Sequence, residues 1–184
     1  MLTASVMEKM IACSKGNLHD IDHFLKVWAL AKTIGEQEGL DAHTQELLEL
    51  AAIVHDIACP LCREKYGDTN GKHQERESPP LVESFFAPLP VDPADVERIS
   101  WVVGHHHTYT NVGGLDHQIL LEADFLVNAD ESGYARAAIE TARSQIFQTV
   151  SGIRLLDAMY PENVSGMAYN EIETPRHYEL SPHL

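Results

Sequence analysis

The segment Leu47–Asp56, with the sequence LLELAAIVHD, constrains the fold more than any other part of the chain. Its apolar residues are spaced i, i+3, i+4 and i+7, as on one face of an α-helix. These residues are Leu47, Leu50, Ala51 and Val54. His55 and Asp56 follow together, just before Cys59-Pro60 stops the helix. An imidazole and a carboxylate suit a divalent transition metal, and both can reach an ion that lies off the helix end. We therefore interpret this segment as the centre of a metal site.

The remainder of the chain shows helical periodicity interrupted by turn residues, with no alternating pattern typical of strands. Helices are predicted over residues 3–15, 17–38, 41–56, 116–130, 134–150 and 152–160. Two further helices are predicted to begin at Pro79-Pro80 and at Asp92-Pro93. Residues 59–73 are rich in turn formers and predict a loop beside the His-Asp pair. The sequence therefore predicts one all-α domain over residues 1–184, with C-terminal helices and a tail over 131–184.

The charge balance limits the partners. The formal net charge of −15 argues against duplex nucleic acid, because that binding depends on Lys and Arg contacts with phosphates. It does not exclude a small phosphorylated substrate, because a metal ion can supply positive charge locally. The chain has no apolar run of about 18 residues, and its N-terminus lacks the plan of a signal peptide. We expect a cytoplasmic protein without membrane contact.

Three more predicted helices carry a metal-ligand type on the face that should be buried. His23 shares a stripe with Val27 and Ile34, Asp124 lies among apolar residues, and His106 continues the stripe of Val96, Ile99 and Val103. A single inward histidine is usually a satisfied core residue, but a buried carboxylate is costly unless paired or metal-bound. Together with His55 and Asp56, these residues predict a metal site between facing helices. His105 adjoins His106, whereas His107 is expected to point elsewhere.

The order His23, His55-Asp56, Asp124 resembles the H…HD…D signature of the HD-domain superfamily of metal-dependent phosphohydrolases. The local contexts DIDHFLKVWALA, AAIVHDIA and LLEADFLVN resemble the corresponding helices of that family. The resemblance covers about residues 19–130. It implies a helical bundle, a divalent metal, and hydrolysis of a phosphoester bond by metal-activated water.

Three further histidines extend the resemblance to members with two metals, in which the pattern is H…HD…H…H(H)…D. His73, His105 and His106 would supply the added ligands, and Asp56 would bridge the ions. Such members include cyclic-dinucleotide phosphodiesterases of the HD-GYP type and dinucleoside-tetraphosphate hydrolases. The Gly-Tyr-Pro motif of the former is absent, and His107-Thr108 replaces the acidic residue expected after the paired histidines. The resemblance thus implies one or two ions of iron, manganese, zinc or another transition metal. With one ion, His105 and His106 could instead contact substrate phosphate.

We expect a hydrolase acting on a nucleotide or another small phosphorylated metabolite, with Asp56 as the catalytic residue. Lys72 and Arg76 are candidates for binding the substrate phosphate, because cations are scarce in this chain. In a one-metal site an acid must protonate the leaving group, and Glu75 and Glu122 are candidates.

Two alternatives remain open at this point. Some proteins of this superfamily resemble the chain in ligand pattern but are oxygenases with a mixed-valent di-iron centre. A requirement for iron and O₂ would identify that activity. The other alternative is a non-catalytic protein that binds a metal or ligand and turns over no phosphoester.

The oligomeric state also stays open. Apolar residues of the last two helices could form a homodimer face or simply close the core. They are Phe147, Ile153, Leu155, Leu156 and Tyr160.

Overall fold

A computed structural model describes residues 2–161 of the chain. This part contains nine helices and no strand, which confirms the all-α prediction. They are α1 (Leu2–Cys13), α2 (Leu18–Glu38), α3 (Ala42–Val54), α4 (Cys59–Tyr66), α5 (Gly71–Phe86), α6 (Pro93–Val103), α7 (Leu115–Glu131), α8 (Arg136–Gln145) and α9 (Val150–Met159). None of these helices is both long enough and apolar enough to cross a membrane. The predicted tail after Pro161 lies outside the described residues.

Helix α3 is the central element of the bundle. Every residue from Leu47 to Val54 is buried, and α1, α2, α6 and α7 all pack against this helix. The buried side chain of Glu49 is paired: Trp28 donates to it at 3.0 Å and Lys32 at 2.7 Å. A helix that is buried on all sides is expected when other helices surround it. The bundle thereby holds the end of α3, and the His-Asp pair after it, deep inside the molecule.

The helix ends follow the capping residues in the sequence. The side chain of Asn17 accepts a hydrogen bond from a backbone N–H in the first turn of α2, and Asp41 caps α3 in the same way. Asp92 caps α6, with Pro93 in the first turn. Gly39 closes α2 with φ of 74°, a left-handed conformation that favours glycine. These caps confirm the predicted starts of α2, α3 and α6.

The prediction of a loop over residues 59–73 is wrong. Helix α4 occupies the first half of this segment, and α5 begins at Gly71 instead of at Pro79-Pro80. The turn residues mark only the short junction between the two helices, where Gly67 ends α4 at φ of 74° and Asn70 caps α5. The composition therefore indicated that a junction is present but not that it is short. Pro79 and Pro80, which were predicted to begin a helix, lie inside α5.

Helix α8 is shorter than the predicted 134–150, whereas α9 begins two residues before the predicted 152. The two helices and the segment between them close the core. Phe147 and Leu156 are buried, while Ile153, Leu155 and Tyr160 are partly buried against the same cluster. The homodimer stays a prediction.

Candidate metal centre

Six potential ligand side chains converge where α2, α7 and the ends of α3 and α6 meet. They are His23 of α2, His55 and Asp56 after α3, His106 and His107 after α6, and Asp124 of α7. The structure thus brings together five of the seven predicted metal ligands and adds His107. These five are His23, His55, Asp56, His106 and Asp124.

The ligand atoms lie close enough for shared coordination. Nε2 of His23 lies 3.2 Å from Nε2 of His55 and 3.2 Å from Oδ1 of Asp124. The carboxylate of Asp56 lies 3.5 Å from Nε2 of His23 on one side and 3.5 Å from Nε2 of His106 on the other. Two groups could each hold an ion, one of His23, His55 and Asp56, the other of Asp56, His106 and His107. Asp56 belongs to both groups.

Backbone carbonyls determine the tautomers of two histidine rings. Nδ1 of His55 lies 2.8 Å from the carbonyl oxygen of Ala52, and Nδ1 of His106 lies 2.6 Å from that of Val103. Because a carbonyl oxygen can only accept, we assign the proton of each neutral ring to Nδ1. Nε2 of each ring then directs a lone pair into the cluster. This is the tautomer in which histidine binds a metal through Nε2.

Helix α7 supplies a second layer of contacts around the ligands. Nδ1 of His23 donates to Glu131 at 2.8 Å, and Lys26 donates to the same carboxylate at 2.9 Å. Asn128 donates to Oδ1 of Asp124 at 2.8 Å. Sequence analysis missed Asn128 and Glu131, although their spacing of i+4 and i+7 from Asp124 places them on the same helical face. These contacts hold the two ligands in orientation.

The cluster contains buried ring nitrogens that have no hydrogen-bond partner in the described part of the chain. Nε2 of His106 and Nε2 of His107 are buried and have no hydrogen-bond partner within residues 2–161. Their ring centroids lie 4.0 Å apart, and the backbone N–H of His107 donates to Glu75 at 3.1 Å. Buried polar atoms normally have a partner, so two such atoms at one place need an explanation. A metal ion accounts for both, because it would accept the two lone pairs.

The electrostatics of the cluster favour a positive charge. Burial disfavours the charged ring of His23, but the hydrogen bond with Asp124 and the charge of Asp56 outweigh it and raise its pKa to about 9. Burial and the nearby ring of His106 lower the pKa of His107 to about 4. His107 is therefore neutral at pH 7, with its lone pair available. The donor set of imidazoles and carboxylates fits a divalent transition metal.

Two predicted ligands lie away from the cluster. Nδ1 of His73 pairs with Asp68 at 2.9 Å, and its ring lies 4.0 Å from that of Tyr66. His105 donates from Nδ1 to the carbonyl of Trp101 at 2.7 Å and stacks on that indole with centroids 4.3 Å apart. Because α6 ends at Val103, the helical phase assumed for residues 104–107 is lost. The turn there directs His106 and His107 inward instead of His105 and His106.

The predicted phosphate-binding cations also lie elsewhere. Arg76 donates to Glu77 and to the hydroxyl of Tyr66, and its side chain is 60% exposed. Lys72 is exposed, and neither cation lines the cavity at the cluster. Arg63 of α4 does line it. Sequence analysis missed Arg63 because the segment was predicted to be a loop, where side-chain directions cannot be derived from periodicity.

The two candidate acids differ in position. Glu75 accepts from the backbone N–H of His107 at 3.1 Å and from the hydroxyl of Thr108 at 2.7 Å, so it adjoins the cluster. Glu122 is wholly buried and accepts from the backbone N–H groups of Gln148 and Thr149 before α9. Its hydrogen bonds support the fold, and it does not line the cavity at the cluster.

A polar cavity of about 330 Å³ leads to the cluster. Three residues of the cluster, His23, Asp56 and His107, line it. Its other lining residues include His19, Asp20, Arg63, Tyr109, Phe125 and Tyr134. A larger groove of about 770 Å³ lies between α5 and α6, but none of the six cluster residues lines it. Of these two cavities, the smaller one is therefore the one that adjoins the candidate metal centre.

Comparisons with known proteins agree with this architecture. A family model described as HD domain matches residues 20–136. The chain is also similar to a solved structure, that of a predicted HD superfamily hydrolase from an uncultured Thermotogales bacterium. The TM-score is 0.62 and the identity 23%, over 85% of this chain and 84% of that chain. At this identity the likeness shows a shared fold. No curated protein matches the chain.

Proposed function

Because the chain belongs to the HD-domain family, we propose that it is a metal-dependent phosphohydrolase acting on a nucleotide or another small phosphorylated metabolite. One observation carries the proposal. Two buried Nε2 atoms, which have no hydrogen-bond partner within residues 2–161, lie close to the carboxylate of Asp56, and this carboxylate lines an open polar cavity. Such an arrangement is costly for a core and useful for binding a metal next to solvent.

The ligand set suggests where metal would bind. His23, His55, Asp56 and Asp124 would hold one ion, and Asp56 with His106 and His107 could hold a second. A bound divalent ion lowers the pKa of water and neutralises charge on a phosphoryl group.

The protein's own groups then have distinct tasks. Asp56 faces both ligand groups and keeps 24% of its side chain exposed, so it can position a water molecule that enters from the cavity. Glu131 holds the ring of His23, and the carbonyl of Ala52 holds that of His55. Phe125 contributes an apolar ring to the lining of the cavity. These contacts prepare the ligands before substrate binds, which reduces the reorganisation needed for reaction.

The test is hydrolysis by the metal-loaded full chain. Phosphate release is measured with nucleoside monophosphates and p-nitrophenyl phosphate, and diester cleavage with bis-p-nitrophenyl phosphate. We expect turnover of at least one class that is lost with chelator and equal with or without O₂. Absence of turnover by protein that contains metal would refute the proposal, and strict dependence on O₂ would support the oxygenase alternative.

Two adjacent histidines provide a matched control. His106→Gln removes an inward ring nitrogen, whereas His105→Gln changes a ring that stacks on Trp101 outside the cluster. We expect the first variant to lose most of the activity and the second to retain it. Equal activities of the two variants would contradict the assignment of His106.

A further inference from the structure

Arg63 is the single Lys or Arg among the described residues that line the cavity. The other charged lining groups include the carboxylates of Asp20, Asp56 and Glu131. An anion that enters such a cavity meets unfavourable charge, even when a metal neutralises part of it. The position of Arg63 therefore has direct consequences for which ligands can enter.

The guanidinium of Arg63 is held in place. Its Nη1 donates to Oδ2 of Asp20 at 2.8 Å, and its Nη2 donates to Oδ1 of the same carboxylate at 2.5 Å. Asp20 lies on α2, three residues before His23, and therefore on the same side of that helix. The ion pair thus fixes the guanidinium relative to a residue of the candidate metal centre.

Arg63 keeps donors available for a ligand. A guanidinium has five N–H groups, and two of those of Arg63 are used by Asp20. The remaining three have no protein acceptor in the part of the chain that the structure describes, and the side chain is 43% exposed. Arginine suits phosphate because its planar fork can donate two parallel hydrogen bonds to two oxygens.

We propose that Arg63 binds the phosphate group of the substrate at the cavity, and that Asp20 positions its guanidinium. This inference rests on the proposed phosphohydrolase function. It replaces Lys72 and Arg76 in the role that the sequence indicated for them. Asp20 is a positioning residue, since it is already paired with Arg63 and carries the same charge sign as phosphate.

Inorganic phosphate is the probe, and its dissociation constant is measured by calorimetry on the metal-loaded full chain. Arg63→Gln should weaken phosphate binding by about 10- to 100-fold, the range for hydrogen bonds to charged groups. Arg76→Gln is the matched control, because its guanidinium contacts Tyr66 and Glu77 instead of the cavity. It should bind phosphate as the unchanged chain does.

Asp20→Asn separates ligand binding from a purely structural ion pair. This variant keeps the guanidinium, retains one side-chain oxygen that can accept from it and hold it in position, and removes a competing negative charge. Phosphate should therefore bind equally well or more tightly. If the ion pair of Arg63 with Asp20 only stabilised the fold, Arg63→Gln and Asp20→Asn would have the same phosphate affinity. If Arg63→Gln does not fold, as judged by circular dichroism, Arg63→Lys keeps the charge, lacks the bidentate fork and should still weaken phosphate binding.

Metal content, measured on each variant, distinguishes failure of this inference from failure of the proposed function. If the loaded chain contains metal and Arg63→Gln binds phosphate unchanged, the role of Arg63 is wrong while the metal site stands. Failure of the loaded chain to bind phosphate at millimolar concentration would also overturn the inference. If the chain takes up no metal, the proposed function fails. Phosphate binding is then compared between the unchanged chain and Arg63→Gln, both without metal, and equal affinity would overturn the role of Arg63.

Discussion

Replacing Glu122 by methionine tests whether this residue supports the fold or the chemistry. Its carboxylate is wholly buried. Oε1 accepts from the backbone N–H groups of Gln148 and Thr149 at 2.7 and 2.9 Å, and Oε2 accepts from the hydroxyl of Thr149. Methionine has a similar length and volume but lacks the strong acceptors, so Glu122→Met removes the hydrogen bonds without opening a large cavity.

The expected loss can be estimated from the groups left without a partner. The buried backbone donor of Thr149 and the partly buried donor of Gln148 each cost up to about 1–3 kcal/mol when unsatisfied, and removal of the buried charge offsets part of that cost. We expect the free energy of unfolding to fall by about 3 kcal/mol. In a chain of this size such a loss lowers the melting temperature by about 6–12 °C. Glu122→Gln keeps a neutral acceptor and should cost about 1 kcal/mol.

Urea unfolding followed by circular dichroism measures both variants, with metal content and turnover measured on the same samples. A structural role predicts lower stability with turnover retained at temperatures where the variant is folded. A loss below about 1 kcal/mol in Glu122→Met, or loss of turnover at unchanged stability, would refute the structural assignment.

Three further changes test the cluster and its surroundings. Glu131→Gln removes a charge that orients a histidine of the site, so metal affinity should fall about 10- to 100-fold in competition with a chelating dye; unchanged affinity would contradict that role. Gly152→Ala places a Cβ 1.9 Å from Oε2 of Glu122 and should lower stability by about 2 kcal/mol in urea unfolding, which an unchanged midpoint would refute. His107→Ala should reduce metal per chain when two ions bind, while His105→Ala should not. The reverse result would support His105 as the ligand, as the sequence predicted, in place of His107.

Helical periodicity predicted the inward histidine of α2 and the inward carboxylate of α7. His23 and Asp124 lie within long helices whose apolar neighbours determine the phase, so their direction could be derived from spacing. The caps Asn17 and Asp41 located the starts of α2 and α3. In these regions local propensity and burial pattern agree, and sequence alone is then informative.

The remaining site residues lie where periodicity no longer determines direction. Helix α6 ends at Val103, so the helical phase no longer sets the direction of the histidines that follow. His107 faces the cluster, whereas His105, which was expected to do so, stacks on Trp101. Arg63 lies on a short helix hidden within a segment of turn residues. The partnership of Arg63 with Asp20 spans 43 positions, and no local pattern in the sequence indicates it.

Metal bound per chain is the most direct test of the candidate centre. Mass spectrometry is applied to the untagged chain purified without chelator and again after loading with iron, manganese or zinc. Asp56→Ala is compared with Asp22→Ala, an exposed position on α2. We predict one or two ions in the unchanged chain and in Asp22→Ala, and a clear loss in Asp56→Ala with the helical fold retained. A chain without metal after loading, or unchanged metal content in Asp56→Ala, would contradict the assignment of this cluster as a metal site.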